Sequence, residues 1–517
     1  MKKHLLLFCL LSTCLSLNAQ VGWKCGTPPY KMPEHRQAPV KNIVASRSDT
    51  DTLYIPVTIN ILGTDNGTGY IQAYRVLEAL CQLQTDFEKH SFRFYVEGEF
   101  NYLNSSAFYN MSSTYIWSDT MLQFITDHNA PNTMNLYIVQ SAQGSAFVPI
   151  LPWDYDNSTY PPTINNSFRH ALIIPKSWLG TDDHTFAHEA GHYFGLWHTF
   201  FGWEGTDYQD YVGLPAPDTI KWSGTVLGNP FSLAFPVERT DSTNCLTAGD
   251  LICDTPPDYL SIGFTCNSDK QSPIVQTDPT GAPFRSDGTL YMSYSNNACQ
   301  NRFSPDQATW MRDVAQGPRD YLLFNQTPPA PFSPSNWQLL YPLNFDTIPL
   351  TDSVTLEWEL IPEADFYVLE LGRLVGANIH VPILNSGLLE NNNFKVKINP
   401  GFRYYWNVTA FNKYYPCDGL RDTSFFTVST SVRNLEAELE TLKLYPNPSV
   451  GQVYWRLPEG VTQTEGTTVQ VFDIQGQLLH CEISNKRSLD LQGFPAGIYA
   501  VKVSTRDRVF SGKIVKQ

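Results

Sequence analysis

The segment from residue 188 to 198 reads His-Glu-Ala-Gly-His-Tyr-Phe-Gly-Leu-Trp-His, and it constrains the chain more than any other. His188 and His192 are four residues apart, so a helix here places both imidazoles on one face, one turn apart. Gly195 lets the backbone leave that helix with positive φ, which turns His198 back toward the other two histidines. Three neutral imidazoles at this spacing are typical of a zinc site that keeps one position open for chemistry.

Glu189 directly follows the first of these histidines and provides the general base that a catalytic zinc site uses. The alternative is a helix whose histidines serve unrelated purposes. A bare His-Glu-x-x-His match arises by chance in about one in a hundred chains of this length, whereas the added glycine and third histidine reduce that to about one in a hundred thousand. We therefore predict Zn²⁺ held by His188, His192 and His198, with Glu189 as the base.

Further along the chain, residues 290–295 read Leu-Tyr-Met-Ser-Tyr-Ser and indicate a turn beneath the metal. Met292 is expected to be the soft apolar base of the site, since its thioether side chain fills irregular gaps. The alternative is that Met292 is an ordinary core residue. Tyr294 follows two positions later, and its phenol is placed to donate a hydrogen bond to a developing oxyanion.

Together these features resemble the metzincin metallopeptidases, which combine an extended zinc motif with a methionine turn. Within that group the chain is most similar to the bacterial branch of the pappalysin family, over roughly residues 50–320. The further motifs that carry the resemblance are Ile55-Pro56-Val57, Thr199-Phe200, residues 249–256 (Gly-Asp-Leu-Ile-Cys-Asp-Thr-Pro), Cys299 and residues 303–307 (Phe-Ser-Pro-Asp-Gln). The resemblance implies an α+β metzincin catalytic domain over residues 48–325, with a twisted mixed sheet, a zinc helix and a Met-turn.

The resemblance also bears on calcium and on substrate preference. Relatives bind calcium near the cleft, and Asp250, Asp254 and Thr255 offer hard oxygen donors suited to Ca²⁺. The alternative is that these side chains simply cap turns. In some relatives an acidic residue five positions after the methionine favours arginine in the substrate. Asn297 stands there in this chain, and because a neutral amide pairs poorly with a guanidinium, we do not carry the arginine preference over.

The N-terminus predicts export. A basic start and an apolar run to Leu17 precede Ala19, which indicates a secretory signal peptide over residues 1–19. A lipoprotein signal at Cys14 is the alternative, and Thr13 is a poor residue to precede it. The apolar run is short for a membrane span, and we expect no transmembrane segment after the signal is removed.

Export permits disulfides, and four cysteines bracket the Met-turn. Cys245, Cys253, Cys266 and Cys299 are expected to form two bridges, although four cysteines allow three pairings. The family pattern implies Cys266–Cys299, which leaves Cys245–Cys253.

Cys25 stands ahead of the first predicted strand, within Lys24-Cys25-Gly26. A thiolate is a strong fourth zinc ligand, and bacterial pappalysins carry a similar Cys-Gly pair as a cysteine switch. We therefore expect residues 20–47 to be a removable pro-segment in which Cys25 ligates zinc in the latent form, with Arg47-Ser48 as a plausible cleavage point. The alternatives for Cys25 are a surface thiol and a disulfide with Cys81.

Apolar periodicity predicts the elements around these motifs. The expected strands are residues 54–62, 92–96 and 135–140, and the expected helices are 72–87, 185–196 and 304–316. Residues 200–290 are expected to be a long irregular segment ordered by disulfides and calcium. In metzincins an extended substrate pairs with an edge strand, and residues 144–150 are a candidate for that rim.

The rest of the chain predicts two small all-β sandwich domains. Residues 335–428 contain short alternating strands and resemble a fibronectin type III domain. Residues 437–517 contain the turn-rich segments 444–451, 471–476 and 494–499 and are strongly similar to the C-terminal sorting domain of the type IX secretion system. Any β-sandwich could use such turn residues, which is the alternative. The similarity implies that the protein is secreted or attached to the cell surface, having passed through the periplasm of a Gram-negative bacterium.

Composition limits the function classes. Formal net charge is -15, which argues against nucleic acid as a partner. The leading prediction is a secreted zinc endopeptidase made as a latent zymogen, with protein or peptide substrates and the type IX machinery as partners. A surface adhesin on a metallopeptidase scaffold is the main alternative, and a zinc amidase acting on non-peptide bonds is a third. The intact Glu189 favours the peptidase over the adhesin.

Overall fold

The computed structural model describes residues 24–25, 51–116, 118–149, 170–204, 206–226, 229–323, 337–375, 379–430, 440–457, 467–474, 476–505 and 508–517. The predicted signal peptide, most of the predicted pro-segment and its Arg47-Ser48 cleavage point lie outside the described residues.

Within its described residues, the first unit has thirteen short or medium strands and five α-helices. Its strands are β1 (Lys24–Cys25), β2 (Leu53–Gly63), β3 (Phe92–Val96), β4 (Asn101–Asn104), β5 (Asn110–Met111), β6 (Met134–Val139), β7 (Ser141–Ala142), β8 (Ser145–Ala146), β9 (Ala171–Pro175), β10 (Thr219–Val226), β11 (Asn229–Pro236), β12 (Gln276–Thr277) and β13 (Pro283–Phe284). Its helices are α1 (Ala73–Phe87), α2 (Ser106–Tyr109), α3 (Asp119–His128), α4 (Thr185–Tyr193) and α5 (Pro305–Gln316).

A five-stranded sheet forms the centre of this unit, in the order β3-β2-β6-β9 with β4 also paired to β2. Strands β2, β6 and β9 are buried along almost their whole length, as is typical of a sheet covered on both faces. All pairings between these strands are parallel. The mixed character expected from the resemblance is limited, among the described residues, to one isolated antiparallel bridge between Phe147 and Ile173.

The predicted elements are present with small shifts at their ends. The helix predicted to bind zinc, α4, ends at Tyr193 rather than at residue 196, because Gly195 has a φ of 83° and turns the chain away. Helix α5 begins with a capping box, in which Ser304 accepts from the Gln307 N–H and the Gln307 side chain accepts from the Ser304 N–H. The segment predicted to be irregular contains the hairpin β10–β11, whose local strand signal is weakened by Gly224 and Pro230.

The second unit is a sandwich of two sheets over residues 337–430, as predicted. One sheet has the order β14-β16-β19, and the other has the order β15-β21-β20-β17-β18. Trp358 and Trp406 are fully buried between them. The strands are β14 (Leu339–Tyr341), β15 (Asp346–Ile348), β16 (Ser353–Trp358), β17 (Phe366–Val375), β18 (Ile379–Asn385), β19 (Asn393–Lys397), β20 (Arg403–Asn412) and β21 (Tyr415–Val428).

The sandwich packs directly against helix α1 of the first unit. Phe366 and Phe411 belong to the same buried cluster as the core of the first unit. A disulfide joins Cys81 on α1 to Cys417 on β21, across a sequence separation of 336 residues. This bridge excludes Cys81 as the partner of Cys25. The sandwich is thus a structural neighbour of the metal-site unit rather than a detached spacer.

Removal of the Cys81–Cys417 bridge by double alanine replacement is expected to lower the free energy of unfolding by about 2–4 kcal/mol, because the bridge closes a very long loop in the unfolded chain. The measurement is a denaturant midpoint followed by tryptophan fluorescence. Alanine replacement of Cys481, which is in no disulfide, is the control and should leave the midpoint unchanged. An unchanged denaturation midpoint in the double variant would contradict a stabilising role of the Cys81–Cys417 disulfide.

The third unit, over residues 440–517, also has two sheets, in the orders β22-β29-β28-β25-β26 and β23-β24-β27. Trp455 and Phe510 are buried in its core, and Lys502 lies 3.7 Å from Asp346 of the sandwich. Its strands are β22 (Glu440–Thr441), β23 (Lys443–Tyr445), β24 (Gln452–Arg456), β25 (Thr468–Phe472), β26 (Leu478–Ile483), β27 (Ser488–Asp490), β28 (Gly497–Ser504) and β29 (Val509–Lys516).

Candidate metal centre

Helix α4 and the turn after it bring three histidines together. The Nε2 atom of His192 lies 3.1 Å from Nε2 of His188 and 3.1 Å from Nε2 of His198. The return of the chain depends on Gly195, whose N–H donates to the His192 carbonyl, while the Leu196 N–H donates to the Gly191 carbonyl. These two hydrogen bonds close the C-terminal end of the helix. The left-handed conformation at Gly195 costs little, because glycine has no Cβ atom to clash with the backbone.

The outer nitrogen of each histidine is held by an acceptor. His188 Nδ1 donates to the Tyr291 carbonyl at 2.7 Å, and His192 Nδ1 donates to the Leu196 carbonyl at 2.7 Å. His198 Nδ1 lies 3.1 Å from the Glu204 carboxylate. With the Nδ1–H groups engaged outward, the three Nε2 lone pairs point at one another, which is the tautomer and orientation that metal-ligating histidines adopt.

Glu204 was missed from the sequence, since it lies outside the recognised motif. Its second carboxylate oxygen accepts from the Gly202 N–H at 2.7 Å, so the side chain is anchored on both sides. Only the turn between residues 198 and 204 places this carboxylate against His198.

The three imidazoles are neutral at ordinary pH. Burial lowers the pKa of His188 and His192 well below the usual range, and the charges of neighbouring histidines add to that effect. Burial also lowers the pKa of His198 to about 3. Neutral imidazole is the form that binds a metal ion, so no proton has to be displaced from these nitrogens.

Cys25 joins the three histidines. Its Sγ and one ring nitrogen from each of His188, His192 and His198 all lie within 4.8 Å of one another. Among the described ranges, this is the one group of three or more His, Cys, Asp or Glu residues placed to hold a metal ion. A set of one thiolate and three imidazoles is a donor set that suits tetrahedral Zn²⁺, so the residues fit the predicted ion.

The backbone around Cys25 is held by the residue predicted to bind the oxyanion. The Cys25 N–H donates to the Tyr294 hydroxyl at 2.8 Å, and that hydroxyl donates to the Cys25 carbonyl at 3.2 Å. Strand β1 also pairs in parallel with β8, with Cys25 opposite Ala146. Strand β8 belongs to the segment predicted to be the rim, so this segment pairs with the strand that contains Cys25.

Glu189 is fully buried on α4, beside His188. Burial first, and then the charges of Cys25, Glu204 and Glu189, raise the pKa of Tyr294 well above its usual range. Tyr294 therefore keeps its phenolic proton at neutral pH and remains a hydrogen-bond donor.

Met292 lies under the metal-site helix, fully buried. A Cβ added at Gly191 would collide with the Met292 sulfur, so the close approach of helix and turn requires glycine there. The Met292 carbonyl accepts from the Thr199 N–H at 3.1 Å, which joins the Met-turn to the chain just after His198. The residue is at once a core residue and the apolar floor of the site.

The disulfides near the Met-turn pair as the family pattern implied. Cys245 is bonded to Cys253, and Cys266 is bonded to Cys299. Asn297 accepts weakly from the His184 N–H at 3.3 Å and hydrogen-bonds Asp183 near the start of α4.

The residues predicted to bind calcium lie in two places, with Asp250 beside Thr255 and Asp254 at the start of α5. Asp250 accepts from the Ile252 N–H at 2.9 Å and from the Thr255 hydroxyl at 3.0 Å. Asp254 instead accepts from the Ser304 hydroxyl at 2.6 Å and the Asp306 N–H at 2.9 Å. Asp254 therefore stabilises the N-terminus of α5, where a carboxylate is favoured by the helix dipole, and the turn-capping alternative describes it.

Asp250 belongs to a different acidic group. Burial first, and then the charges of Asp250 and Asp258, raise the pKa of Glu238 to about 10. Glu238 lies so close to Gly249 that a Cβ there would collide with its carboxylate. The folded protein thus holds a proton on Glu238 at neutral pH, and positive charge near this group would relieve the repulsion.

The Glu238 shift has a definite consequence for stability. Because the folded state keeps the proton up to about pH 10 and the unfolded chain loses it near pH 4.5, unfolding releases a proton between these values. The free energy of unfolding should therefore fall as pH rises, and Tm without calcium should drop by about a few degrees from pH 5 to pH 8. Glu238→Gln should flatten this slope, whereas the exposed Glu99→Gln should not. If calorimetry gives the same slope of Tm against pH for Glu238→Gln and for the unmodified chain, the raised pKa of Glu238 is contradicted.

Comparison with known proteins identifies the C-terminal unit. Residues 443–517 match the family model described as a secretion system C-terminal sorting domain. This confirms the predicted sorting unit of the type IX system, so the protein is secreted or attached to the cell surface of a Gram-negative bacterium and passes through the type IX machinery. Within the described ranges, the structure contains no helix long and apolar enough to span a membrane.

No curated protein matches the chain. The solved structures that it is similar to include a two-domain fibronectin type III segment of chicken tenascin, at 14% identity over 35% of this chain and 99% of that one, with a TM-score of 0.13. They also include fibronectin(III)-like modules of Clostridium thermocellum CbhA (13% identity, 35% and 95% covered, TM-score 0.14) and the FN1–FN3 domains of chicken CNTN1 (16% identity, 35% and 65% covered, TM-score 0.14). TM-scores this low carry no argument about function or overall architecture.

Proposed function

We propose that the chain is a secreted zinc-dependent endopeptidase of the pappalysin type, made as a latent zymogen. The observation that carries this proposal is the convergence of His188, His192, His198 and Cys25 on one point, with Glu189 on the same helix. The motif resemblance and the buried Met292 floor support the family assignment.

The proposed chemistry assigns one role to each side chain. Bound to His188, His192 and His198, zinc would polarise the scissile carbonyl and lower the pKa of a water molecule. Glu189 takes a proton from the attacking water and delivers it to the leaving amine nitrogen. One carboxylate thus acts first as general base and then as general acid. Tyr294 donates a hydrogen bond to the developing oxyanion, since its raised pKa keeps the phenol protonated.

Latency follows from the same geometry. Cys25 takes the position that the open site needs for chemistry, and β1 takes the edge of β8 that an extended peptide would otherwise pair with. Tyr294 is also engaged, because its hydroxyl bonds the Cys25 backbone. Removal of the pro-segment would free the metal position, the strand edge and the phenol together.

Calcium remains part of the proposal. Of its predicted ligands, Asp254 caps α5, whereas the Asp250 carboxylate and the Thr255 hydroxyl lie 3.0 Å apart and keep their oxygens together. Binding there would order the long segment that follows the metal-site helix.

The test is cleavage of a denatured protein by the purified chain after limited proteolysis of its pro-segment. The sandwich is retained in the chain, because it shares a core and a disulfide with the first unit. We expect cleavage that a zinc chelator abolishes and added zinc restores. A processed, folded and zinc-loaded chain that cleaves no protein would favour the adhesin alternative, and mapped cleavage sites would show whether Asn297 excludes arginine selection.

A further inference from the structure

A buried carboxylate outside the metal site connects three parts of the first unit. Asp86, on α1, is 6% exposed. It accepts from His184 Nδ1 at 2.9 Å, from the Tyr291 hydroxyl at 3.0 Å and from the Gln82 side-chain amide at 2.9 Å. Three donors around one buried carboxylate offset its loss of hydration and fix its orientation.

Two of these donors belong to the segments that build the metal site. His184 is the N-cap residue of α4, the helix that carries His188 and His192. Tyr291 precedes Met292, and its carbonyl accepts from His188 Nδ1 at 2.7 Å. Tyr291 therefore connects Asp86 to the proposed ligand His188. Its hydroxyl donates to Asp86, and its carbonyl accepts from His188.

We propose that Asp86 is a positioning residue for the metal centre: it fixes Tyr291 and the start of α4, and so sets the orientation of His188 and the affinity for zinc. The inference rests on the metal site of the proposed function. Outer groups that orient a ligating histidine typically change metal affinity by about 10–100-fold when they are removed. Asp86 acts on the metal position indirectly: it holds the rigid side chain of Tyr291, and Tyr291 in turn holds His188.

The competing reading is that Asp86 only fastens α1 to α4. The two readings differ in what they change. A purely structural fastening lowers the stability of the metal-free fold and leaves the zinc affinity of the folded protein as it was, whereas a positioning residue weakens zinc binding by the folded protein.

The variants are Asp86→Asn, which keeps the size but weakens acceptance, and Tyr291→Phe, which removes only the hydroxyl that Asp86 holds. Asp127→Asn is the matched control, because Asp127 accepts from the Gln123 amide at 2.7 Å with the same i,i+4 spacing on the exposed face of α3. All are made in the full-length chain carrying Glu189→Gln, which prevents self-cleavage. The readouts are the zinc Kd by competition with a chromophoric chelator and the unfolding midpoint of the metal-free protein.

We expect Asp86→Asn and Tyr291→Phe to weaken zinc binding by about tenfold or more, and Asp127→Asn to leave it unchanged. Zinc Kd values within about twofold of the parent for both variants would overturn the inference, whatever happens to the midpoint. If Asp86→Asn does not fold, Tyr291→Phe decides the question alone. Failure of the parent to bind zinc would overturn the proposed function and this inference together, whereas equal zinc binding by the parent and both variants overturns the inference alone.

Discussion

Replacement of Glu189 by alanine is expected to reduce peptide-bond cleavage by the processed chain by at least about 10²–10⁴-fold, because no other described carboxylate stands on the helix that carries His188 and His192. The zinc ligands remain in place, so the zinc content of the variant should equal that of the parent. Cleavage is measured with a denatured protein and with a short fluorogenic peptide, and metal content by elemental analysis.

Glu189→Asp serves as a second variant, since it keeps the charge and withdraws the carboxylate from the reacting position. It should retain a fraction of the activity, in contrast to alanine. Full activity in Glu189→Ala with zinc bound would remove Glu189 from the mechanism. Loss of both activity and zinc would instead show that the substitution disturbs the metal site.

Replacement of Cys25 by alanine is expected to raise the activity of the unprocessed chain on a small peptide by about tenfold or more. In the proposed latent form the Cys25 thiolate would occupy the fourth metal position, and activity would scale with the fraction of molecules in which that position is open. The variant should still be less active than the processed enzyme, because the β1–β8 pairing and the Tyr294 contacts remain.

Cys481→Ala is the matched control, since Cys481 is the other described cysteine outside a disulfide and lies in the sorting unit. It should leave latency unchanged. A Cys25→Ala chain that is as inactive as the parent until it is processed would show that strand pairing alone maintains latency. The rate of peptide cleavage before and after pro-segment removal is the measurement in each case.

The grouping of the three histidines could be predicted from the sequence because their geometry is local. Helical repeat places His188 above His192, and Gly195 at a fixed offset returns His198, so spacing alone determines the arrangement. The sorting unit could be recognised for a similar reason, since its turn residues recur in a fixed order.

Residues that support the site could not be predicted in this way. Glu204 meets His198 only because the intervening turn folds back, and Asp86 meets Tyr291 across 205 residues of sequence. Neither carboxylate belongs to a pattern, so nothing in the chain distinguishes either one from other acidic residues before the tertiary fold is known.

The residues predicted to bind calcium show how position depends on the tertiary fold. Asp250 and Asp254 are close in sequence and both carry suitable oxygens, but the chain between them turns so that Asp254 caps α5. The repulsion instead concentrates on Glu238, which comes from an earlier strand end and was not among the predicted ligands.

By itself the sequence determined the grouping of His188, His192 and His198 and the two sheet-rich units after the first one, because these depend on spacings of a few residues. Only the tertiary structure decided that Cys25 reaches the histidines, that Cys81 pairs with Cys417, and that the sandwich shares a core with α1. Contacts of this kind join residues far apart in the chain, and their formation depends on how whole elements pack rather than on any local preference.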